Sequence, residues 1–155
     1  MLKLFHTLLF SVSFIYAQPQ SHTFIINNET RQYYLYTPDS LGPGVPLLFV
    51  LHGYSGSAVS IMNYSNMNLI ADENGFVVCY PQGLIDDTGY AFWNVGYSFH
   101  PNETVDDVEF LSEIISEFFN LYFSKNLLNN LVFFISFLKS SRTKSEFNLF
   151  FCDKT

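Results

Sequence analysis

The sequence predicts an α/β fold in which an antiparallel hairpin leads into a parallel βαβ sheet, and three observations carry that prediction. Two aromatic and β-branched runs flank the polar stretch Asn27-Asn28-Glu29-Thr30, as the arms of a hairpin do. Two uninterrupted apolar runs follow, at residues 46–51 and 76–80, without the alternation of a half-solvated strand. Between them apolar residues recur at helical spacing, so strand, helix and strand succeed one another with short connections. That succession normally makes a right-handed crossover between parallel strands.

The elements follow in order. Residues 1–17 carry one early positive charge, Lys3, then the apolar run 8–16 and Ala17 before Gln18-Pro19, the three-part pattern of a secretory signal peptide. The run is shorter than the roughly 20 residues of a bilayer span, so the mature chain is expected to begin near Gln18 and to be secreted. The hairpin covers residues 23–37, and Pro38-Asp39-Ser40-Leu41-Gly42-Pro43-Gly44 breaks the chain as a loop. The apolar strand 46–51 then stops at His52-Gly53. From 57 to 74 a helix is expected, with Ala58, Ile61, Met62, Leu69 and Ile70 on one buried stripe and Gly75 as its C-terminal cap.

The second apolar strand ends at Pro81-Gln82-Gly83, and residues 83–101 lack periodicity, as a surface loop does. A further helix is predicted to start at Thr104, capped by its hydroxyl with Asp107 as partner and favoured by Asp106 and Glu109 near its positive end. Val108, Leu111, Ile115 and Phe118 would form its buried stripe, and Glu109, Glu113 and Glu117 a solvated face. Four strands and two helices leave one sheet edge uncovered.

Composition bounds the function. The 155 residues are 48% hydrophobic and 14% charged, enough apolar matter for one ordered domain. A net charge of -7 without a basic patch argues against a nucleic-acid partner, since phosphate binding needs clustered Lys and Arg. Two cysteines, Cys79 and Cys152, are too few for a disulfide framework, and Cys79 within an apolar run reads as a buried thiol. The four histidines share no ligand-like spacing with a cysteine, so no metal is expected. Asn28, Asn63 and Asn102 open Asn-x-Ser/Thr sites.

The composition breaks after Phe118. Residues 18–118 hold one basic residue, Arg31, against twelve acidic ones, whereas 119–155 hold five basic against two acidic and neither glycine nor proline. This segment reads as foreign to the fold, a frameshift or read-through product beyond a partial domain at 18–118. Its apolar stretch near 127–138 is interrupted by Asn129 and Asn130 and makes no stable membrane span.

Several segments together identify a resemblance: Arg31-Gln32-Tyr33-Tyr34-Leu35-Tyr36-Thr37-Pro38, Pro46-Leu47-Leu48-Phe49-Val50-Leu51-His52-Gly53, Ala71-Asp72-Glu73-Asn74-Gly75-Phe76-Val77-Val78-Cys79-Tyr80-Pro81-Gln82-Gly83, Trp93-Asn94 and Val105-Asp106-Asp107-Val108-Glu109-Phe110-Leu111. In this order they resemble the secreted polyhydroxybutyrate depolymerase and feruloyl esterase family of α/β-hydrolases, over roughly residues 23–118. The resemblance implies the front portion of an α/β-hydrolase fold, an ester substrate, no cofactor, and a Ser-His-Asp triad acting through an acyl-enzyme. It also implies that the turn His52-Gly53-Tyr54 supplies half of an oxyanion hole, with the Tyr54 N–H as donor, and that Trp93 and Asn94 stand at the substrate cleft.

The family's Gly-x-Ser-x-Gly nucleophile elbow, expected after the strand that follows the last helix, does not occur in these residues. None of the triad is therefore expected in the chain. Ser55 in Gly53-Tyr54-Ser55-Gly56-Ser57 is no substitute, because the second glycine falls one place early and the turn precedes the relevant strand. His100 comes too early for the triad histidine and reads as a solvated loop residue. Asp86-Asp87 and Asp106-Asp107 have ordinary causes in a turn and a helix start. Two functions follow: an ester hydrolase truncated before its nucleophile and inactive as it stands, or a non-catalytic secreted binding protein that keeps the front of the fold.

Overall fold

The asparagine pair of the hairpin is where local chemistry fixes the first piece of architecture. Asn27 and Asn28 both adopt left-handed backbone conformations, φ 52° and 66°, which a two-residue turn between twisted strands requires and which asparagine tolerates. The turn sets the register of β1 (Gln20–Ile26) against β2 (Glu29–Tyr36), with Ile26 opposite Glu29. The computed structural model describes residues 17–42, 44–123, 133–137 and 150–152. The signal-peptide reading of residues 1–16 lies outside them.

β3 (Leu47–Leu51) and β4 (Val77–Pro81) run parallel, and β2 joins β4 antiparallel. Two further strands, β5 (Phe133–Phe137) and β6 (Phe150–Cys152), extend a mixed sheet in the order β1-β2-β4-β3-β5-β6. β5 runs parallel to β3 and pairs the edge that the four expected strands would leave open there. The fold class is α/β.

The strands carry two cores because successive side chains point to opposite faces. Tyr33, Leu35, Leu47, Phe49, Leu51, Val77 and Cys79 face one side, where Phe110, Ile114 and Phe118 of α3 (Asp107–Phe123) cover them. Tyr36, Val50, Val78 and Tyr80 face the other, against Ala58 and Ile61 of α1 (Ala58–Ser65) and Ala71 of α2 (Met67–Asn74). Removing each large apolar side chain from water contributes about 1.5–3 kcal/mol, which explains why β3 and β4 read as continuous apolar runs.

Three expectations are corrected. The single helix over 57–74 is two helices, because Asn66 adopts a left-handed conformation at φ 53° and ends one as it begins the next. That break rotates the second helix, so Leu69 is 63% exposed and Ala71, not Leu69 or Ile70, is buried. The last helix starts at Asp107 instead of Thr104. Its first turn is capped by Asp106, whose Oδ1 accepts from the Glu109 N–H at 2.8 Å. Of the expected stripe, Phe118 is buried and Leu111 and Ile115 pack partly buried against the core, but Phe110 and Ile114 join Phe118 as its fully buried members and Val108 is 75% exposed.

Its acidic face is not wholly solvated either, since Glu117 accepts from the Tyr33 hydroxyl at 3.0 Å. The helix continues past Phe118 to Phe123, so segment 119–155 contributes its last turn as well as β5 and β6. No helix among the described residues is long and apolar enough to cross a membrane.

Candidate functional site

β3 and β4 end side by side, which brings the turn after Leu51 against the segment after Pro81, at the carboxyl end of parallel strands where α/β folds place their ligands. His52 fills the space between them and is 3% exposed. Its Nε2 accepts from the Gly83 N–H at 3.0 Å and lies 3.1 Å from the Gln82 amide nitrogen. A backbone N–H can only donate, so the ring proton resides on Nδ1, which donates to the Gly53 carbonyl at 2.8 Å. Gln82 in turn accepts the Ala58 N–H at 2.9 Å through its Oε1, tying the start of α1 to the same point.

Burial lowers the His52 pKa, outweighing the Gly53 hydrogen bond and the Asp107 charge, which act the other way. The ring is neutral at pH 7, and both its nitrogens are occupied by the fold. A histidine whose folded pKa is depressed stabilises the fold fully above its unfolded value, near 6.5, and this contribution is lost as pH falls below it. The thermal midpoint is therefore expected to drop between pH 7.5 and 5, a window above the titration of ordinary carboxylates. The drop should be smaller in His52→Gln, whose amide oxygen still accepts from Gly83. An equal drop in both proteins would show that His52 is not its source.

The turn itself is closely held. Gly56 N–H donates to the Gly53 carbonyl at 3.0 Å, and a Cβ at Gly56 would stand 3.0 Å from that same oxygen. Ser55 sits at φ 61° and donates its N–H to the Ala91 carbonyl at 2.8 Å. Ser57 then caps α1 through a reciprocal capping box with Ser60. Two of the turn's N–H groups are consumed in this way. The N–H of Tyr54 has no hydrogen-bond partner among the described residues.

Trp93 packs against His52. Its indole Nε1–H donates to the His52 carbonyl at 2.8 Å, its ring lies 5.0 Å from the imidazole, and it is 7% exposed. Asn94 donates its backbone N–H to Asp107 Oδ2 at 2.6 Å and its amide to the carbonyls of Glu103 and Val105. Trp93→Phe removes one donor and leaves the His52 carbonyl without it. A loss of about 1–3 kcal/mol is expected in urea unfolding followed by circular dichroism, and an unchanged midpoint would contradict the contact's importance.

The loop 83–101 is more ordered than its irregular sequence suggested. Phe92 and Trp93 are buried, and Asp86 is 6% exposed at the centre of a hydrogen-bond cluster. His100, expected to be solvated, instead has a buried side chain with Nε2 at 3.0 Å from Asp86 Oδ2. The ring of Phe92 lies 4.7 Å from it and that of Phe99 4.5 Å.

The structure thus brings His52, Gly53, Tyr54 and Trp93 together, with Asn94 one step away and bonded to Asp107 at the start of α3. Gln82, Gly83, Asp86 and His100 belong to the same construction. Pro81-Gln82-Gly83 at the end of a strand and Asp86-Asp87-Thr88-Gly89, a stretch with the composition of a turn, were the hints of them in the sequence.

No family model matches the chain. It is 31% identical over 87 residues to the bifunctional acetylxylan esterase/xylanase XynS20E of Neocallimastix patriciarum, covering 56% of this chain and 12% of that protein. It is 33% identical over 90 residues to the polyhydroxybutyrate depolymerase of Talaromyces funiculosus, 54% of this chain and 26% of that one. It is 36% identical over 66 residues to feruloyl esterase B of Thermothelomyces thermophilus, 42% of this chain and 23% of that one. The chain spans at most about a quarter of the length of these relatives, and their names support a carboxylic-ester hydrolase of esterase or depolymerase type at that coarse level.

Proposed function

We propose that these residues form the front portion of a secreted carboxylic-ester hydrolase of the polyhydroxybutyrate depolymerase and feruloyl esterase type, and that their chemical contribution is half of an oxyanion hole. The observation that carries the reading is the Tyr54 N–H. It sits in a turn after a parallel strand, held on both sides and unpaired among the described residues, and such a free donor suits charge developing on an acyl-transfer intermediate. The second donor belongs to the residue after the nucleophile, and no Gly-x-Ser-x-Gly occurs in the 155 residues. The polypeptide of this sequence is therefore expected to bind without turning over.

A chimera tests the hydrolase reading. Residues 18–118 replace the corresponding part of the Talaromyces depolymerase, which supplies what this sequence lacks. Hydrolysis of p-nitrophenyl acetate, abolished by a serine-directed phosphonate, is the expected result. A folded chimera without such hydrolysis would argue against the reading.

A second reading is a secreted binding protein on the same fold. Serine-dependent turnover by the unmodified 155-residue chain would exclude it, and would overturn the expected inactivity as well. The composition break at residue 119 supports an origin of segment 119–155 in a shifted reading frame. A Gly-x-Ser-x-Gly in another frame of the DNA beyond the Phe118 codon is the expected finding.

A further inference from the structure

We propose that Asp86 is a positioning residue for the oxyanion turn, holding the Tyr54 side chain by its hydroxyl and so fixing the direction of the Tyr54 N–H. The inference rests on the reading of that N–H as an oxyanion donor. The two carboxylate oxygens divide their work. Oδ1 accepts from the Thr88 N–H at 2.9 Å, the Thr88 hydroxyl at 2.7 Å and the Tyr90 N–H at 3.0 Å, all from its own loop. Oδ2 lies 3.0 Å from His100 Nε2, at the far end of the same loop 83–101, and accepts from the Tyr54 hydroxyl at 2.7 Å, which reaches outside that loop.

Closing a local turn needs only the first set. The second makes a rigid arm between the loop and the turn. Burial alone would raise the Asp86 pKa, but the hydrogen bonds from Tyr90, Thr88, Tyr54 and His100 outweigh it and hold the carboxyl well below its usual range. The acceptor is thus ionised and strong at any physiological pH.

The frame behind Asp86 is itself fixed. Asp86 N–H donates to the Tyr90 carbonyl at 2.9 Å, Gly89 N–H donates back to the Asp86 carbonyl at 2.9 Å, and Ile85 bridges Ala91. This small hairpin grips the oxyanion turn twice: Ala91 takes the Ser55 N–H, and Asp86 takes the Tyr54 hydroxyl. One tether holds the Tyr54 side chain and the other holds the N–H of the peptide that joins Tyr54 to Ser55. The Tyr54 ring is 40% exposed and follows Gly53, so burial alone does not restrain it.

The test reads local order in the ¹⁵N-labelled full chain. Tyr54→Phe removes one hydroxyl, and Asp86→Asn keeps the shape while weakening the acceptor. In both variants the order parameter of the residue 54 amide is expected to fall from the rigid range, about 0.85, to below about 0.6, with the amides of β3 and β4 unchanged. If Asp86→Asn fails to fold, Tyr54→Phe still decides. An order parameter at residue 54 that is unchanged in Tyr54→Phe overturns the proposal. So does a loss shared by the β3 and β4 amides, which marks a merely structural role. No turnover enters the measurement, so an inactive chimera and a failed positioning role are distinguishable.

Discussion

Gly83→Ala is expected to lose about 3–5 kcal/mol of stability, a methyl group's overpacking added to a broken buried hydrogen bond. A Cβ at this position would stand 2.2 Å from the Phe92 carbonyl oxygen, 3.1 Å from its carbon and 3.3 Å from His52 Cε1. The nearest obstacle is backbone and cannot rotate aside. Nor can the segment retreat freely, because the Phe92 N–H donates to the Leu84 carbonyl at 2.9 Å and the Gly83 N–H holds His52 Nε2. Either the loop lifts off the end of β4 or His52 loses its partner. For a domain stabilised by about 5–15 kcal/mol, that loss approaches global unfolding. Urea denaturation of Gly83→Ala beside Gly42→Ala checks it, since a Cβ at Gly42 would meet nothing within 4 Å. Comparable midpoints for the two variants would refute the argument.

The elements that were legible in the sequence are those whose cause is local or periodic. The hairpin followed from Asn27-Asn28 between apolar arms, and β3 and β4 followed from unbroken apolar runs between turn residues. What escaped depends on single residues or distant partners. The helix after His52 splits at Asn66, one left-handed residue inside an otherwise helical pattern, and nothing in the spacing of Met62, Leu69 and Ile70 reveals the rotation that follows. On α3, Phe110 and Ile114 rather than Val108 turn to the sheet, and Asp106 rather than Thr104 is the cap. The choice between them is made by Asp107, whose carboxylate is committed to Arg31 on β2 and to the Asn94 N–H.

Of the candidate site, the turn at His52-Gly53-Tyr54 was legible as a turn, from a strand that stops at a His-Gly pair. That His52 serves as a tie with both nitrogens occupied follows only from Gly83, 31 positions along the chain. Asp86 and His100 looked like turn and solvent residues, because hydrogen bonds between a loop and a turn leave no periodic trace. The aromatic residues around them, Tyr54, Phe92 and Phe99, carry no spacing that announces a cluster.

Asp107→Ala is expected to cost about 3–5 kcal/mol, as breaking a buried ion pair from one side does. Arg31 is 2% exposed, its Nη2 donates to Asp107 Oδ1 at 2.5 Å, and its guanidinium lies 4.0 Å above the Phe110 ring. Arg31 Nε already lacks a hydrogen-bond partner among the described residues, so removing Asp107 strands the whole cation in an apolar core. The double variant Arg31→Met, Asp107→Leu removes the charge together with its partner and should recover more than half of the loss. It should not recover all of it, because the Asn94 N–H has lost its acceptor at 2.6 Å in either protein. That residual matters for the site. Asn94 follows Trp93 directly, and Trp93 is the chain's single tryptophan, bonded to the His52 carbonyl. Its emission should therefore shift to the red in Asp107→Ala and remain partly shifted in the double variant, even after most stability returns. Emission that returns fully to the parent value in the double variant would mean that the ion pair supports the core alone and that the turn at His52 does not depend on it.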